Sequence, residues 1–425
     1  MTAIQRAKGM QDVLPEDRRY WDRVIGKATE LAGRYGFERI DTPIMEYTEL
    51  FQRGVGTGSD FFVQKEMYTI EEPDGSSLTL RPEFTAGVMR AYIQNGMSSW
   101  PQPVKLYTIG PAFRRERQQA GRYRQHSQFN CEILGETDPA ADVEVMMLAM
   151  NLYRELGFKG LTFQLNSTGC PTCKPAYVTA LTEYLGQHMD KLADIDKERL
   201  QRNPLRVLDS KEMGMEDLLA DAPHIIDYLC QDCADHFSDL RAMLEGLAQS
   251  YTINFRLVRG IDYYTKTVFE VWAEGIGAQA AVCGGGRYDG LAEDIGGPST
   301  PGVGFGSGIE RIVLGLKEAG IEPPAAAQPQ VFVAHFGGVT KETAVQLAFR
   351  LREAGIGARL AFARNRRSMK SQMREANKHH ARVVLILGED EIANGMVTVR
   401  PLDGGNQVQI PQETLLAWLT DFGIR

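Results

Sequence analysis

The sequence lacks any long hydrophobic run. No stretch of about eighteen consecutive apolar residues occurs in its 425 residues, which excludes a membrane-spanning helix. The first residues, MTAIQRAKGMQDVLPED, contain neither an apolar core nor a small-residue cleavage site, so they do not resemble a secretory signal peptide. Together these absences predict a cytoplasmic protein with no membrane partner.

Cysteine is also scarce. The chain has six cysteines, too few for a disulfide framework in a cytosolic protein of this length. Four of them form two CxxC pairs, Cys170 with Cys173 and Cys230 with Cys233. Four thiolates complete a tetrahedral zinc site, but the interval between the pairs is much longer than in compact zinc ribbons. Two alternatives therefore remain open, a structural zinc site and four unligated cysteines.

Positive charge is not in excess. The net charge of −8 is not typical of a general nucleic-acid coat protein. Residues 331–425, however, carry 13 Lys and Arg against 9 Asp and Glu, while the rest carries 34 against 46. This distribution predicts a basic terminal domain on an acidic body, which suits a polyanion bound at one end.

The length indicates more than one domain. The stretch EPPAAAQPQ (322–330) marks the best boundary, because its composition is that of a linker. Before it, residues 170 to about 250 lose strand character and predict a helical insertion. After it, alternating strands and helices predict a small α/β domain. One helix there, from about Ser368, carries basic residues four apart on one face, and we expect it to bind backbone phosphate: Arg366, Lys370, Arg374, Lys378 and Arg382.

The densest positive charge lies between two predicted antiparallel strands, VKLYTI (104–109) and QFNCEIL (128–134). The loop between them has five arginines within eleven residues, from Arg114 to Arg124, against one acid, Glu116. Arginine binds phosphate through paired hydrogen bonds and keeps its charge. This excess indicates an anionic ligand rather than a solvated hairpin. Alternation along the second strand places Gln128 and Glu132 on one side.

Other polar residues occur where buried elements rarely have them. RPEFTAGVMRAYI places Glu83 and Thr85 at a helix start, where helix capping and a substrate cavity are both open alternatives. VRGIDYYTKTVFEVW carries a polar set that indicates a pocket: Arg259, Asp262, Tyr263 and Tyr264.

Two glycine-rich segments follow that pocket strand, CGGGRYDGL and GVGFGSGIERIVLGL. Glycine lets the backbone approach a ligand closely, and it also permits tight packing of a strand against a helix. Arg311 stands near a predicted helix N-terminus, where a phosphate would be favoured.

These segments together resemble one family. GFERIDTPIME, FRRERQQAGRYRQHSQFNCEILG and GVGFGSGIER are similar to the three weak motifs of class II aminoacyl-tRNA synthetases. RGIDYYTKTVFE and GGGRYDGL resemble the more specific signatures of bacterial-type histidyl-tRNA synthetases. The class I signatures HIGH and KMSKS are absent.

The resemblance implies an α+β fold. It implies an antiparallel six-stranded catalytic sheet with flanking helices (1–325), a helical insertion (about 170–252) and a C-terminal α/β anticodon-binding domain (331–425). The implied partners are L-histidine, ATP with Mg²⁺, histidine tRNA and a second copy of the chain through the first motif. The implied reaction is activation of histidine to histidyl-adenylate, then transfer to the 3′ end of the tRNA.

The same resemblance implies roles for individual residues. Arg259 and Arg114 would be catalytic, because fixed cations stabilise charge that spreads to pyrophosphate. The histidine pocket would consist of Glu83, Thr85, Gln128, Glu132, Tyr263, Tyr264 and Tyr288. ATP would contact Arg114, Glu116, Arg122, His126 and Arg311. The tRNA would contact Arg366, Lys370, Arg374 and Lys378.

Several positions depart from the family pattern. Phe84 replaces a common glycine, and His126 stands where an aromatic residue usually packs on adenine. Gln118, Ser127 and Asn130 also differ from the residues usual in the family.

Two other functions remain alternatives. A regulatory relative that senses histidine would lack the C-terminal domain and degrade RGIDYY, and both are present here. A synthetase for another amino acid would not be expected to carry Tyr263, Tyr264 and the GGGRYDG run.

Overall fold

A computed structural model describes residues 3–55, 66–115, 122–274, 281–325, 328–336, 340–362 and 367–424. The chain divides into two compact units, Met1–Pro323 and Pro324–Arg425. Three residues singled out by sequence, Glu116, Gln118 and Arg366, lie outside the described ranges. No helix within those ranges is long and apolar enough to cross a bilayer.

An eight-stranded sheet dominates the first unit, in the order β1-β5-β6-β11-β10-β9-β7-β8. The six central strands are antiparallel to their neighbours, and β1 and β8 add short parallel edges. The predicted antiparallel six-stranded sheet is therefore confirmed, with two edge strands in addition. The strands are β1 (Glu38–Arg39), β5 (Val104–Phe113), β6 (Gln125–Leu134), β7 (Thr162–Ser167), β8 (Tyr251–Ile253), β9 (Thr265–Trp272), β10 (Ala281–Arg287) and β11 (Gly302–Gly308).

A smaller three-stranded sheet lies in the same unit, in the order β2-β4-β3. Its strands are β2 (Met45–Tyr47), β3 (Tyr68–Glu71) and β4 (Ser77–Leu80). β3 and β4 pair as an antiparallel hairpin.

Helices cover the large sheet because their apolar faces match its apolar side. In β6 the alternate residues Phe129, Cys131 and Ile133 are fully buried in the main core. The helices of this unit are α1 (Pro15–Arg34), α2 (Thr48–Val55), α3 (Thr85–Gln94), α4 (Pro139–Leu156), α5 (Lys174–Gln187), α6 (Asp194–Arg202), α7 (Met215–Ala220), α8 (Gln231–Gly246), α9 (Leu291–Asp294) and α10 (Ile309–Glu318).

Two of these helices show how local sequence sets their ends. α1 begins at Pro15, whose missing N–H costs nothing in a first turn, and it ends just before Gly36, which has φ +76°. α4 begins after Asp138, whose carboxylate accepts a hydrogen bond from Ala140 N at 2.8 Å.

The insertion follows β7 and precedes β8. It contains α5, α6, α7 and α8 with 3₁₀ turns at Pro204–Asp209 and Ile225–Tyr228, and no strand occurs among the residues between β7 and β8, all of which are described. Apolar residues of the part before α8 form a separate small core, which includes Leu181, Leu185 and Val207, whereas Phe237 and Leu240 of α8 belong to the main core. A separate core explains how a helical segment can be added to the sheet without disturbing it.

The second unit is built on a five-stranded sheet with order β13-β12-β14-β15-β16. β12 pairs in parallel with both neighbours, and β15 and β16 continue the sheet antiparallel. Its elements are β12 (Val331–His335), α11 (Thr340–Glu353), β13 (Ala358–Leu360), α12 (Met369–Lys378), β14 (Val383–Leu387), α13 (Glu389–Ala393), β15 (Met396–Pro401), β16 (Val408–Pro411) and α14 (Leu415–Asp421).

One prediction about this unit is wrong. Arg382 was expected on the basic helix, but α12 ends at Lys378 and His380 has φ +53°. Arg382 lies beyond that turn, where its Nε is 3.2 Å from Asp403 Oδ2. The positive-φ turn breaks the helical spacing before it reaches Arg382.

Candidate active site

A cavity of about 830 Å³ lies over strands β6, β10 and β11 of the large sheet. Six residues that the sequence predicts for ATP, catalysis or histidine line it: Arg114, Arg122, His126, Gln128, Arg259 and Arg311. The cavity thus gathers arginines that are almost 200 positions apart in the chain. Such a concentration of fixed positive charge suits a polyphosphate.

Three glycines of β10 and β11 line part of this cavity, Gly284, Gly306 and Gly308. β10 and β11 are paired so that Gly284 lies opposite Gly306 and Gly286 lies opposite Gly304. A Cβ on Gly284 would come within 2.4 Å of Arg259 Nη1. The glycines therefore leave the space that the polar side chains above them occupy, a function that the sequence left undecided.

Arg259 is held over these glycines by an acid. Its Nη1 lies 2.9 Å from Glu270 Oε1, and the other oxygen of Glu270 accepts a hydrogen bond from Trp272 Nε1 at 2.9 Å. The guanidinium also lies 5.9 Å from the centre of the Tyr264 ring. Because its partner is itself fixed, the cation is oriented before any ligand binds.

Arg114 and Arg311 are fixed by backbone carbonyls. Arg114 Nε donates to Pro82 O at 2.8 Å, and Arg311 Nη1 donates to Ala281 O at 2.9 Å. Arg114 extends from the end of β5 and Arg311 from the first turn of α10, so two separate elements bring charge to one cavity.

His126 lies between these two charges. Burial, assisted by Arg114, lowers the pKa of His126 to about 3. The imidazole is therefore neutral at physiological pH, which keeps it available for packing on an uncharged ring. The adjacent Ser127 donates its backbone N–H to both oxygens of Glu310, at 2.8 and 2.9 Å.

A buried carboxylate pocket adjoins the cavity. Gln128 and Glu132 are on the same face of β6, and Glu132 is only 1% exposed. Its Oε1 accepts a hydrogen bond from Thr85 Oγ1 at 2.8 Å, and its Oε2 accepts a short one from Tyr288 OH. Burial raises the pKa of Glu132 to about 8. The three residues form one network although they come from separate parts of the sequence.

Glu83 caps the first turn of α3. Its carboxylate accepts hydrogen bonds from the backbone N–H groups of Thr85, at 2.6 Å, and Ala86, at 3.0 Å. Burial raises the pKa of Glu83. The capping alternative is thus present in the structure, and it places the carboxylate beside the Glu132 network.

Three tyrosines enclose the same pocket. The ring centres of Tyr263 and Tyr264 are 4.7 Å apart, and those of Tyr263 and Tyr288 are 5.6 Å apart. All three are less than 9% exposed. Asp262, which the sequence grouped with them, lies near the insertion, where Asn203 Nδ2 is 3.4 Å from its Oδ1.

The structure accounts for one departure from the family pattern. Phe84 is 1% exposed, and the Arg81 guanidinium lies 4.1 Å from its ring centre. The ring therefore makes a cation–π contact within the core and does not fill the pocket.

The insertion contributes residues that the sequence interpretation missed. Residues Arg199, Arg202 and Arg206 line the cavity, together with acids that include Glu198 and Asp209. Arg199 and Arg202 lie in the last turn of α6, whereas Arg206 lies in the 3₁₀ turn Pro204–Asp209, so helical spacing does not group the three. No local pattern could have identified them, because the sequence does not reveal where an insertion folds back.

The four cysteines of the CxxC pairs lie together at the base of the insertion. Their sulfur atoms are all within 4.8 Å of one another. Sulfur–sulfur distances are 3.7 Å for Cys170 and Cys230, 3.7 Å for Cys170 and Cys173, and 3.8 Å for Cys173 and Cys233. Two pairs that are 60 residues apart in the chain therefore form one cluster that could hold a metal ion.

The predicted basic face is present on α12 of the second unit. Lys370, Arg374 and Lys378 are exposed, while Gln372 and Ala376 are buried on the other side. The helix therefore presents three cations, four residues apart, to solvent.

Comparisons with known proteins point to one family. Residues 9–312 match the family model described as Histidyl-tRNA synthetase, and residues 330–422 match the model described as Anticodon binding domain. The histidine–tRNA ligase of Pelotomaculum thermopropionicum is 46% identical over 98% of this chain and 97% of its own. That of Dehalococcoides mccartyi is also 46% identical, over 97% of this chain and 98% of its own.

A solved structure is similar as well. The crystal structure of apo Staphylococcus aureus histidyl-tRNA synthetase superposes with a TM-score of 0.80 at 34% identity. The match covers 98% of this chain and 99% of that one. Both the sequence and the fold thus match over nearly the full length.

Proposed function

Because this chain belongs to the histidyl-tRNA synthetase family, we propose which of its residues bind each substrate of a histidine–tRNA ligase and which act in catalysis. The reaction has two steps. L-Histidine is first activated with ATP to histidyl-adenylate, and the histidyl group is then transferred to the 3′ end of histidine tRNA. The observation that carries the residue assignment is the convergence of Arg114, Arg259 and Arg311 on one cavity beside a buried carboxylate and tyrosine pocket.

In the first step the substrate supplies the nucleophile. A carboxylate oxygen of histidine attacks the α-phosphorus of ATP, an O–P bond forms, and the bond to the departing pyrophosphate breaks. Arg259 lies by the α-phosphate, while Arg114 and Arg311 bind the other phosphates, and Arg122 lies at the cavity wall. No protein nucleophile is needed, so catalysis consists of positioning and charge stabilisation. Glu116 belongs to the predicted ATP set but lies outside the described residues.

Adenine and magnesium complete the ATP site. The neutral His126 packs on the adenine ring. Mg²⁺ accompanies the phosphates and neutralises their charge. Glu310 is the carboxylate best placed to hold it, because it lines the cavity and because burial raises its pKa to about 7, a cost that a bound cation would offset.

The buried pocket selects histidine. Glu83 and Gln128 provide acceptors for the α-ammonium group, while Glu132, with Thr85 and the tyrosines 263, 264 and 288, pairs with the imidazole. A pocket of buried polar groups discriminates strongly, because an analogue without matching hydrogen bonds leaves them unpaired.

The remaining assignments concern partners. Residues 1–325 form the catalytic domain, with the insertion at about 170–252, and residues 331–425 bind the anticodon end of the tRNA through Lys370, Arg374 and Lys378. Arg366, outside the described residues, belongs to the same predicted set. The protein acts in the cytoplasm as a homodimer.

The cysteine cluster holds Zn²⁺ in this proposal. A zinc ion about 2.3 Å from each of four tetrahedrally placed sulfurs would separate them by about 3.8 Å, close to the 3.7 and 3.8 Å found here. The ion is structural, since four protein ligands leave no open position.

Histidine-dependent exchange of pyrophosphate into ATP tests the first step. We expect exchange with histidine and little exchange with other amino acids. Esterification of histidine tRNA should follow. A regulatory relative would bind histidine without exchange, so absent exchange contradicts the proposal. Exchange with a different amino acid instead would overturn the assignment of the pocket.

A further inference from the structure

The four-cysteine cluster lies next to the histidine pocket. Gly169, directly before Cys170, accepts a backbone hydrogen bond from Lys266 N at 2.8 Å. Thr168 donates its backbone N–H to Lys266 O at 2.7 Å and its hydroxyl to Tyr264 O at 3.0 Å. Lys174, directly after Cys173, donates a hydrogen bond from its ammonium group to Tyr264 O at 3.3 Å.

The second cysteine pair reaches the same segment. Asp232, between Cys230 and Cys233, lies 2.8 Å from Lys266 Nζ through its Oδ2. Both cysteine pairs are therefore tied to the three residues 264–266. This segment begins β9 and carries one of the pocket tyrosines.

The segment needs such support because its backbone is strained. Lys266 has φ +48°, a conformation that residues with a side chain rarely adopt. The cost of such a conformation persists only where surrounding contacts enforce it. The contacts here come from the two cysteine pairs and the residues beside them.

The first cysteine pair is itself closely packed. Gly169 has φ +65°, and a Cβ there would come within 2.8 Å of Cys173 Sγ. Cys170 N donates to Cys173 Sγ at 3.1 Å, the kind of N–H to sulfur contact that supports a thiolate. The backbone is shaped around the sulfur atoms.

We propose that the metal-bound cysteine cluster is a positioning device for the histidine pocket: it fixes the segment 264–266 and so sets the position of Tyr264. This inference rests on the zinc site and the histidine pocket proposed above, and adds a link between them. Four bonds to one ion join chain segments 60 residues apart, on either side of the helices α5, α6 and α7. The metal therefore closes the base of the insertion and holds the pocket strand at the same time.

The experiment uses the full-length chain purified under reductant. Thr168→Val removes the hydroxyl that donates to Tyr264 O while it conserves side-chain shape and leaves all four cysteines. Expected are full zinc content and a roughly three- to tenfold higher KM for histidine in pyrophosphate exchange, the range of one lost hydrogen bond. The KM for ATP should stay unchanged. Thr168→Ser, which keeps a hydroxyl, should restore the KM for histidine.

Cys233→Ser removes one ligand and should lower zinc content together with histidine affinity. Gln231→Ala is its matched control, since Gln231 lies between the same two cysteines but bonds Asp235 at 2.8 Å on the surface. This control should retain zinc and both KM values. Cobalt substitution gives a readout independent of activity, because thiolate-to-cobalt absorption should accompany tetrahedral d–d bands.

These measurements test the metal site, the ligase activity and the positioning role separately. Absence of stoichiometric zinc in wild-type protein, with exchange intact, overturns the metal site but not the ligase. Zinc present in Thr168→Val with an unchanged KM for histidine overturns the positioning role. If Cys233→Ser does not fold, the Thr168 variants still decide that role.

Discussion

Gly304 and Glu132 lie directly opposite one another in the paired strands β11 and β6. A Cβ on Gly304 would come within 1.7 Å of Glu132 Oε2, a separation that real atoms do not tolerate. The carboxylate that we assign to the imidazole therefore occupies the space that this glycine leaves free. The glycine-rich strand therefore shapes the proposed histidine pocket and is not only a packing surface.

Gly304→Ala should displace Glu132 and impair histidine recognition. A displaced Glu132 would lose its hydrogen bond to the imidazole, which is worth roughly 1.5–3 kcal/mol for a charged acceptor and corresponds to about a ten- to 150-fold loss in kcat/KM for histidine. Pyrophosphate exchange at varied histidine concentration measures it. Gly33→Ala in α1 is the control, because nothing lies within 4 Å of its added Cβ. It should leave activity intact and increase stability by roughly 0.5–1 kcal/mol. Equal activity in the two variants would contradict the proposed space requirement.

Glu132 should also impose a pH dependence on histidine use. Its pKa is raised to about 8, so most of the free enzyme carries a protonated carboxyl at pH 7. If the ionised form binds the imidazole, kcat/KM for histidine should rise about eightfold from pH 7 to pH 8.5. Glu132→Gln should be much less active and should lack this rise. A wild-type profile that is flat over this range would contradict the assigned role.

The same raised pKa acts on stability in the opposite direction. Between its ordinary value of 4.5 and about 8, Glu132 binds a proton more tightly in the folded protein than in the unfolded chain. The free energy of unfolding contributed by this group therefore falls as the pH rises through that window. Chemical denaturation at pH 6 and pH 8 should show a smaller fall for Glu132→Gln than for the wild type. An identical fall in both proteins would show that Glu132 is not the group responsible.

Variants of Arg259 and Glu270 can separate the effect of the arginine charge from the effect of the carboxylate that orients it. Arg259→Ala should reduce kcat of pyrophosphate exchange by roughly a hundred- to a thousandfold, the usual effect of removing one fixed donor at a developing charge. Glu270→Gln keeps an acceptor for Arg259 Nη1 and should have a smaller effect. Titration with histidine alone is the control, because Arg259→Ala should change histidine binding far less than kcat. A loss confined to KM would place Arg259 in binding rather than in the transition state.

The buried pair of Asp142 and Arg287 predicts a stability effect next to the site. Both side chains are 0% exposed, and Arg287 also donates to Glu136 O at 2.7 Å. Asp142→Ala leaves a buried cation without its carboxylate and should cost roughly 3–5 kcal/mol of unfolding free energy. Asp22→Asn is the control, since its pair with Arg18 is exposed and should cost about 0.5 kcal/mol or less. Similar losses in the two variants would contradict the importance of burial.

Local pattern was sufficient for much of the fold. Alternation in QFNCEIL placed Gln128 and Glu132 on one face of a strand, and the loss of strand character after residue 170 predicted the helical insertion, because strand and helix periods are properties of short segments. The end of α12 was not recovered. No Gly or Pro marks the turn at His380, so no local signal excludes Arg382 from the helix.

Only some of the site residues could be predicted from the sequence, because others are brought into the site by long-range contacts. The family motifs named Arg114, Arg259 and Arg311, and the cavity brings them together. The lining by Arg202 and Arg206 depends on how the insertion folds back, which is a long-range contact with no local pattern. The same is true of the close approach between Gly304 and Glu132, which requires the register of two strands 170 positions apart.

The exposed cations of α12, which we propose as tRNA contacts, allow tRNA binding to be tested apart from catalysis. Lys370, Arg374 and Lys378 belong to the second unit, whereas the residues that line the cavity belong to the first. Replacing all three with alanine should raise the KM for tRNA in aminoacylation and leave pyrophosphate exchange unchanged. The salt dependence should weaken as well, by roughly 0.7–0.9 in the slope of log affinity against log salt for each lost phosphate contact.

Lys341→Ala is the matched control for that variant, since Lys341 is an exposed cation on α11 of the same unit. It should leave both the KM for tRNA and the salt slope unchanged, because a contact-specific effect depends on where a charge lies and not on net charge alone. Equal losses in the two variants would reduce the role of α12 to general electrostatic attraction. An unchanged slope in the triple variant would remove α12 from the tRNA interface.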